Sequence, residues 1–292
     1  MPSFSASSDP ALIDRARPLL GTIAGIRAAA LAHPLAIDDA FAAIIEVQTV
    51  MSAFEAGSDL SRLHGLPHGR PISLHPLTAQ VVAFGLELAM RSGGLFDLAM
   101  GGEAAARGTL PQPVRAFHAL GDVQGASWRD IEFDDGDIVL RRPLWLDLSG
   151  IAKGFAVDRA TAVLKAAGVT QGTINIGGDL AVFGPKPETV HLRAEGSAVV
   201  PELEIADAAV ASSGGAPGRV ATRHVRARDR AIVDPARFAA VIAPDGMTAD
   251  ALTKVVLTAE EIDADLLLHY GARALSCGAD GEWRIFEGAT NG

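Results

Sequence analysis

Arg141 to Leu148, with the apolar run Pro143-Leu-Trp-Leu-Asp-Leu148, reads as an extended strand and passes through Ser149-Gly150 straight into a run with apolar residues at helical spacing, Ile151 to Ala167. The change of period across two small residues predicts strand, sharp turn and helix in that order. A helix start leaves backbone N–H groups unpaired and carries about half a positive charge, so it draws anions. Lys153 adds a full charge there. Asp147, just ahead of the turn, is an acceptor suited to a nucleotide hydroxyl, a ring N–H or a divalent cation. On this segment alone, a junction whose Lys and Asp only cap and solvate is an equal reading. A second segment, Thr173-Ile-Asn-Ile-Gly-Gly-Asp-Leu-Ala-Val-Phe-Gly184, sets an Asn, two glycines and an acid inside a strand-like run. Glycine weakens a strand and marks a bulge or a close backbone approach. The plainer alternative is a Gly-Gly hairpin with Asp179 as a turn residue.

The remaining pattern alternates helices with adjacent hairpins. Arg17 to Leu31 reads as a strand entered through Gly21-Thr22, and Ile37 to Phe54 as an amphipathic helix. Leu77 to Arg91 reads as a helix closed by Ser92-Gly93-Gly94 in a left-handed cap. Met100 to Gly125 has no clear assignment. Trp128 to Leu148 alternates like a hairpin around Asp134-Asp-Gly-Asp. Strands are expected at Thr173 to Phe183, Val190 to Arg193, Ala208 to Ser212, Arg230 to Val233 and Ala240 to Ala243, then helices at Thr248 to Thr258 and Glu260 to Tyr270, and a closing strand pair at Ala274 to Phe286. This order argues α+β rather than a βαβ repeat. A hydrophobic content of 49% over 292 residues is ample for a large core. We expect residues 1–16 to form a flexible N-terminal segment and 17–292 a single interwoven domain.

Net charge of −10 with no basic run argues against nucleic acid and anionic membranes as partners. A single cysteine, Cys277, excludes an internal disulfide, and no Cys/His cluster has zinc spacing. No run reaches the ~18 apolar residues of a membrane span. The N-terminus has neither a basic and apolar leader nor a lipobox cysteine, so the expected location is cytoplasmic.

Six elements in register resemble the FAD:protein FMN transferases, the ApbE-like flavin transferases. Met51-Ser-Ala-Phe-Glu-Ala-Gly-Ser-Asp-Leu-Ser-Arg-Leu63 is similar to the family's Met-Ser-x-Phe…Ser-Glu-x-Ser-Arg-Leu element, and Gly94-Leu-Phe-Asp97 to its Gly-x-Phe-Asp. The Asp147 segment resembles Asp-Leu-Gly-Gly-Ile-Ala-Lys-Gly, and Asn175 to Gly184 resembles Asn-Ile-Gly-Gly-Asp. Ala211-Ser-Ser-Gly214 and Thr248-Ala-Asp-Ala-Leu252 match the Thr-Ser-Gly and Ala-Asp-Ala-Leu elements. The resemblance runs from Gly21 to Leu257. It implies an α+β fold of mixed sheets with packed helices, of the T-fold type. It also implies transfer of FMN from FAD to a Ser/Thr hydroxyl of an acceptor flavoprotein, with Mg2+ assistance and AMP release. By position, Met51, Leu95, Phe96, Asp97, Asp147, Lys153 and Ile232 would contact FAD, while Gly150, through its carbonyl, and Asp250 would hold the metal.

Two departures bear on the chemistry. Lys254 stands where the family has the metal-site threonine, four residues after Asp250. Thr253, at i+3, is a substitute ligand, and the Lys254 ammonium can pair with Asp250 or supply part of the ion's charge. Ala231 stands where the family has a histidine, and alanine takes no proton. His224 lies seven residues upstream, and Asp179 and Asp250 are the carboxylates left to act as base. A non-catalytic FAD-binding protein and a metal-dependent FAD pyrophosphatase are the competing functional readings.

Overall fold

The computed structural model describes residues 12–29, 35–113, 116–214 and 224–287. Its first half contains strands β1 (Leu12–Leu19) and β2 (Thr22–Ala29), helices α1 (Ala36–Met51) and α2 (Asp59–His64), strand β3 (Ile72–Ser73) and helix α3 (Pro76–Arg91). Short helices α4 (Gly101–Ala106) and α5 (Leu120–Val123) follow, then strands β4 (Ile131–Asp134) and β5 (Asp137–Leu140). The second half runs α6 (Ala152–Ala166), β6 (Gly172–Ile176), β7 (Asp179–Phe183), β8 (Glu188–His191), β9 (Glu202–Ile205), β10 (Ala208–Gly214) and β11 (Phe238–Ala243). It closes with α7 (Gly246–Thr258), α8 (Ala264–His269), β12 (Arg273–Cys277) and β13 (Trp283–Glu287).

Alternation along β11 explains the layering. Ala239, Val241 and Ala243 enter the main core, whereas Phe238 and Ala240 enter a second cluster with Leu192, Leu275 and Cys277 on the other face. A strand covered on both faces reads as an unbroken apolar run, as Phe238–Ala243 does. The strand belongs to an eight-stranded sheet of order β1-β2-β6-β7-β10-β11-β12-β13. Helices α6 and α7 pack on its main-core face, with α1 beside α6 and in contact with β1, and the β8-β9 ribbon sits on the opposite face over Val182 and Val210. A three-stranded sheet, β3-β5-β4, completes the fold. Every strand pairing among the described residues is antiparallel, so the α+β class holds while the sheets are not mixed in direction.

Several local expectations change. The single strand over Arg17 to Leu31 is a hairpin turning at Leu20-Gly21, both at positive φ, and it begins at Leu12, five residues before the expected domain boundary. Residues 1–11 and 30–34 lie outside the described residues. Arg141 to Leu148 is no strand, because its backbone bonds run to the turn before α4 and to that helix's first residue: Asp147 N–H donates to the Leu98 carbonyl (2.8 Å) and Gly101 N–H to the Trp145 carbonyl (2.9 Å). Arg230 to Val233 makes one bridge, Val225 with Ile232. Thr173 to Phe183 is two strands, β6 and β7, folded back at Gly177-Gly178, where φ values of 65° and 108° suit glycine.

Candidate functional site

The turn before α6 is held from three sides. Asp147 Oδ1 accepts from Ser149 N–H (2.8 Å), closing the turn, and Nε2 of His64 accepts from Leu146 N–H (3.0 Å), one residue before Asp147. Ile151, at the N-cap of α6, offers no side-chain acceptor. The carboxylate of Asp250 takes that role instead, its Oδ2 accepting from Gly154 N–H at 3.2 Å. Helix α7 therefore caps α6. The approach is close because both crossing residues are glycine: a Cβ on Gly246 would lie 2.6 Å from the Gly154 carbonyl oxygen.

Two lysines and two acids meet at this crossing. Lys153 Nζ pairs with Asp179 and lies 3.3 Å from Asp250 Oδ2. Lys254 Nζ donates to Ser213 Oγ (2.7 Å), Asp250 Oδ1 (2.9 Å) and Thr253 Oγ1 (2.9 Å). The carboxylates are 2% and 1% exposed, the lysine side chains 30% and 21%. Burial works against the Lys153 ammonium, but Asp250 and Asp179 more than offset it and hold that lysine above its ordinary value. Burial and the Asp250 charge raise Asp179, against the pull of the lysines. Burial also disfavours the Asp250 carboxylate, yet Lys153 and Lys254 together keep it below its usual range.

The expected metal ligands, Gly150, Asp250 and Thr253, are close together, but not as an open oxygen set. Magnesium needs bare oxygens at about 2.1 Å. Both Asp250 oxygens already accept from lysine ammoniums and a backbone N–H. Thr253 donates to the Asp250 carbonyl (2.6 Å) and also bonds Ser213 and Lys254. The residues present do not fit a resident magnesium ion, and among the described residues no cluster of three or more His, Cys, Asp or Glu offers another site.

A cleft of about 600 Å³ opens in front of this cluster. Leu95, Phe96, Asp97, Asp147, Gly150 and Lys153 line it, so six expected residues from two separate segments face one space. Burial raises the Asp97 carboxyl above its ordinary value, opposed by N–H groups of Ala99 and Trp128 and by Arg230. Met51 and Ile232 are placed elsewhere: Met51 is buried in the main core at the end of α1, and Ile232 is 52% exposed. Asp179, Asp250 and Thr253 lie behind the lining. Sequence reasoning left out Ser213, Met100, Glu195 and Phe238, which also line the cleft, and set aside His224, which lines it too. Only Ser213 carried a signal, within Ala211-Ser-Ser-Gly214. Burial, followed by the charges of Lys254 and Lys153, holds His224 at about 4, so its imidazole is neutral at physiological pH.

The antiparallel α+β scaffold is shared with solved flavin transferases. The chain superposes on the flavinyl transferase ApbE of Pseudomonas stutzeri with a TM-score of 0.81, covering 94% of this chain and 93% of that one. It does so equally on the flavin transferase ApbE of Vibrio cholerae, covering 95% and 97%. Both are 20% identical, a likeness of fold alone. The sequence profile of the ApbE family matches residues 20–275, and the chain belongs to that family. It is similar to the FAD:protein FMN transferases of Rhodobacter capsulatus (33% identical over 123 residues, 40% of this chain) and Treponema pallidum (25% over 191 residues, 59% of this chain). The matched stretches span 24% and 52% of those two proteins. No helix among the described residues is long and apolar enough to cross a membrane.

Proposed function

We propose that this protein is an FAD:protein FMN transferase that moves FMN from FAD to a Ser or Thr hydroxyl of an acceptor flavoprotein. The observation that carries this reading is the convergence of Asp97, Asp147, Gly150 and Lys153 on one cleft at the first turn of α6. Its volume lies in the range of small-molecule sites. The acceptor oxygen attacks the FMN-side phosphorus, the phosphoanhydride bond breaks, AMP leaves and the hydroxyl proton passes to a base. Charge on the phosphate oxygens is met by the Lys153 ammonium. Asp97 and Asp147 supply acceptors for nucleotide N–H and hydroxyl groups.

The base is assigned to His224. Asp250 is held acidic by two lysines, and Asp179 lies behind Lys153. His224 lines the cleft, and its carbonyl accepts from Val233 N–H (2.9 Å) across the bridge that joins Val225 to Ile232. Strand alternation puts His224 and Ala231 on the same face of that ribbon. His224→Gln should therefore lower transfer by ~100-fold or more while FAD affinity stays within about twofold. The readout is acceptor mass together with AMP release from protein, FAD and an acceptor flavoprotein domain. A full-rate variant removes the assignment, and an unmodified acceptor with intact bound FAD favours the second reading, a non-catalytic FAD-binding protein, which Ala231 at the expected histidine position supports. Free FMN plus AMP identifies hydrolysis.

A further inference from the structure

We propose that the Lys254 ammonium is the resident cation of this cleft, standing where a divalent metal would stand and letting the site hold its diphosphate ligand without one. This rests on the flavin-dinucleotide reading above for the identity of the ligand, but not for the cation itself.

An ammonium has three protons, and here each has a short acceptor: Ser213 Oγ at 2.7 Å, Asp250 Oδ1 at 2.9 Å and Thr253 Oγ1 at 2.9 Å, with the Asp250 carbonyl at 3.4 Å as a weaker fourth. The acceptors come from two elements, β10 and α7, and converge on one point as the oxygens of a cation site do. Their distances are those of N–H···O bonds and not of metal coordination. The carbon stem of the lysine also covers the glycine expected to lend a carbonyl. A Cβ on Gly150 would meet Lys254 Cε and Cγ at 3.3 Å.

Charge leads to the same conclusion. Two lysines face two carboxylates, so the cluster is neutral before any ligand arrives. A divalent ion would have to break three hydrogen bonds and expel the ammonium, or leave net positive charge against the buried Asp250. An ordinary i,i+4 surface pair does not describe this contact, because Asp250 is 1% exposed and Lys254 reaches across to the neighbouring strand. A fixed ammonium supplies one positive charge with no dissociation step, in a position beside Lys153 that faces the same cleft.

The test titrates Mn2+, followed by electron paramagnetic resonance, into the native protein, Lys254→Thr and Lys254→Met, each first checked for a native melting transition. FAD affinity is measured in parallel by flavin fluorescence, in EDTA and in magnesium. The native protein should show no saturable Mn2+ site and the same FAD affinity in both buffers. Lys254→Thr, which empties the space and adds a hydroxyl, should gain one Mn2+ site. It should bind FAD about tenfold more weakly in EDTA, with recovery in magnesium. Lys254→Met, which fills the space without charge, should lose FAD affinity to a similar extent with no recovery, and it decides the matter if the Thr variant does not fold. A stoichiometric Mn2+ site in the native protein, an EDTA-sensitive native FAD affinity, or a folded Lys254→Thr that gains no site overturns the proposal. Absence of FAD binding under every condition sinks the flavin reading instead, and the Mn2+ titration still decides what cation the cleft holds.

Discussion

Lys153 shows how a single side chain serves both the fold and the cleft. It reaches the cleft from the first turn of α6, yet it also pairs with Asp179 and Asp250, two carboxylates with almost no solvent contact. Removing it strips a charge-assisted partner from the incoming phosphate and leaves two buried acids with only Lys254 between them. Lys153→Ala should weaken FAD binding by ~1 to 3 kcal/mol, as a lost charge-assisted bond does. It should also lower unfolding stability by ~3 kcal/mol, the scale of an orphaned buried charge. Flavin fluorescence and urea unfolding measure the two effects separately. Full FAD affinity in a destabilised variant would mean that the lysine serves the fold alone. Asp250 has the same double character, since one oxygen caps α6 while the other receives Lys254.

At the scale of elements, the site depends on how closely α6 and α7 cross. Asp158 of α6 accepts from Gly246 N–H (2.6 Å) and Met247 N–H (2.8 Å), capping α7 while Asp250 of α7 caps α6. Each helix thus satisfies the other's unpaired first-turn donors and places a carboxylate at its positive end. Reciprocal capping requires contact without side chains at the crossing. A Cβ on Gly154 would penetrate the Gly246 carbonyl oxygen and lie 2.8 Å from Cβ of Asp250. Gly154→Ala should therefore cost ~2 kcal/mol or more, the scale of overpacking, despite alanine's better helix propensity. A calorimetric melt measures the loss, and FAD affinity should fall with it because Asp250 must move. An unchanged melting temperature would show that the crossing has slack.

For the molecule as a whole, His64 ties stability to pH. It sits in α2, 4% exposed, and its Nε2 accepts from Leu146 N–H, fastening α2 to the extended segment that delivers Asp147. A nitrogen that accepts a backbone N–H is unprotonated, and burial holds the imidazole down at about 4, from the ordinary 6.5. As pH falls below 6.5 the unfolded chain takes up this proton before the folded one does. The folded state therefore loses stability through that window, and the loss is complete below about 4. With ~1.4 kcal/mol per unit of pH, the native protein should lose about 2 kcal/mol between about pH 7 and pH 5 from this residue. His64→Gln should flatten that part of the curve, as read from urea midpoints across the range. An unchanged slope would place the titrating group elsewhere.

The separate elements were readable because their causes are local. Periodicity marked α1, α3, α6 and α7, the Ser92-Gly93-Gly94 cap shows the positive φ that glycine tolerates, and the six motifs in order carried family and fold class. Asp147 and Lys153, which line the cleft, were legible from the turn and helix start beside them, whereas Asp97 came only with the family resemblance. Relations between distant segments were not legible. Pro143 to Leu148 carries the apolar pattern of a strand, but only the folded neighbours decide that its backbone bonds go to the turn before α4 and to that helix's first residue. Met51 and Phe96 look alike as apolar motif residues, and both are buried in the main core, but packing leaves only Phe96 at the wall of the cleft. Composition and motif order follow from short-range patterns that any stretch of chain carries with it. Where Lys254 points, which acid stays charged and which histidine reaches the cleft depend on burial and on charges contributed by residues tens to hundreds of positions away, and those come together only when the chain has folded.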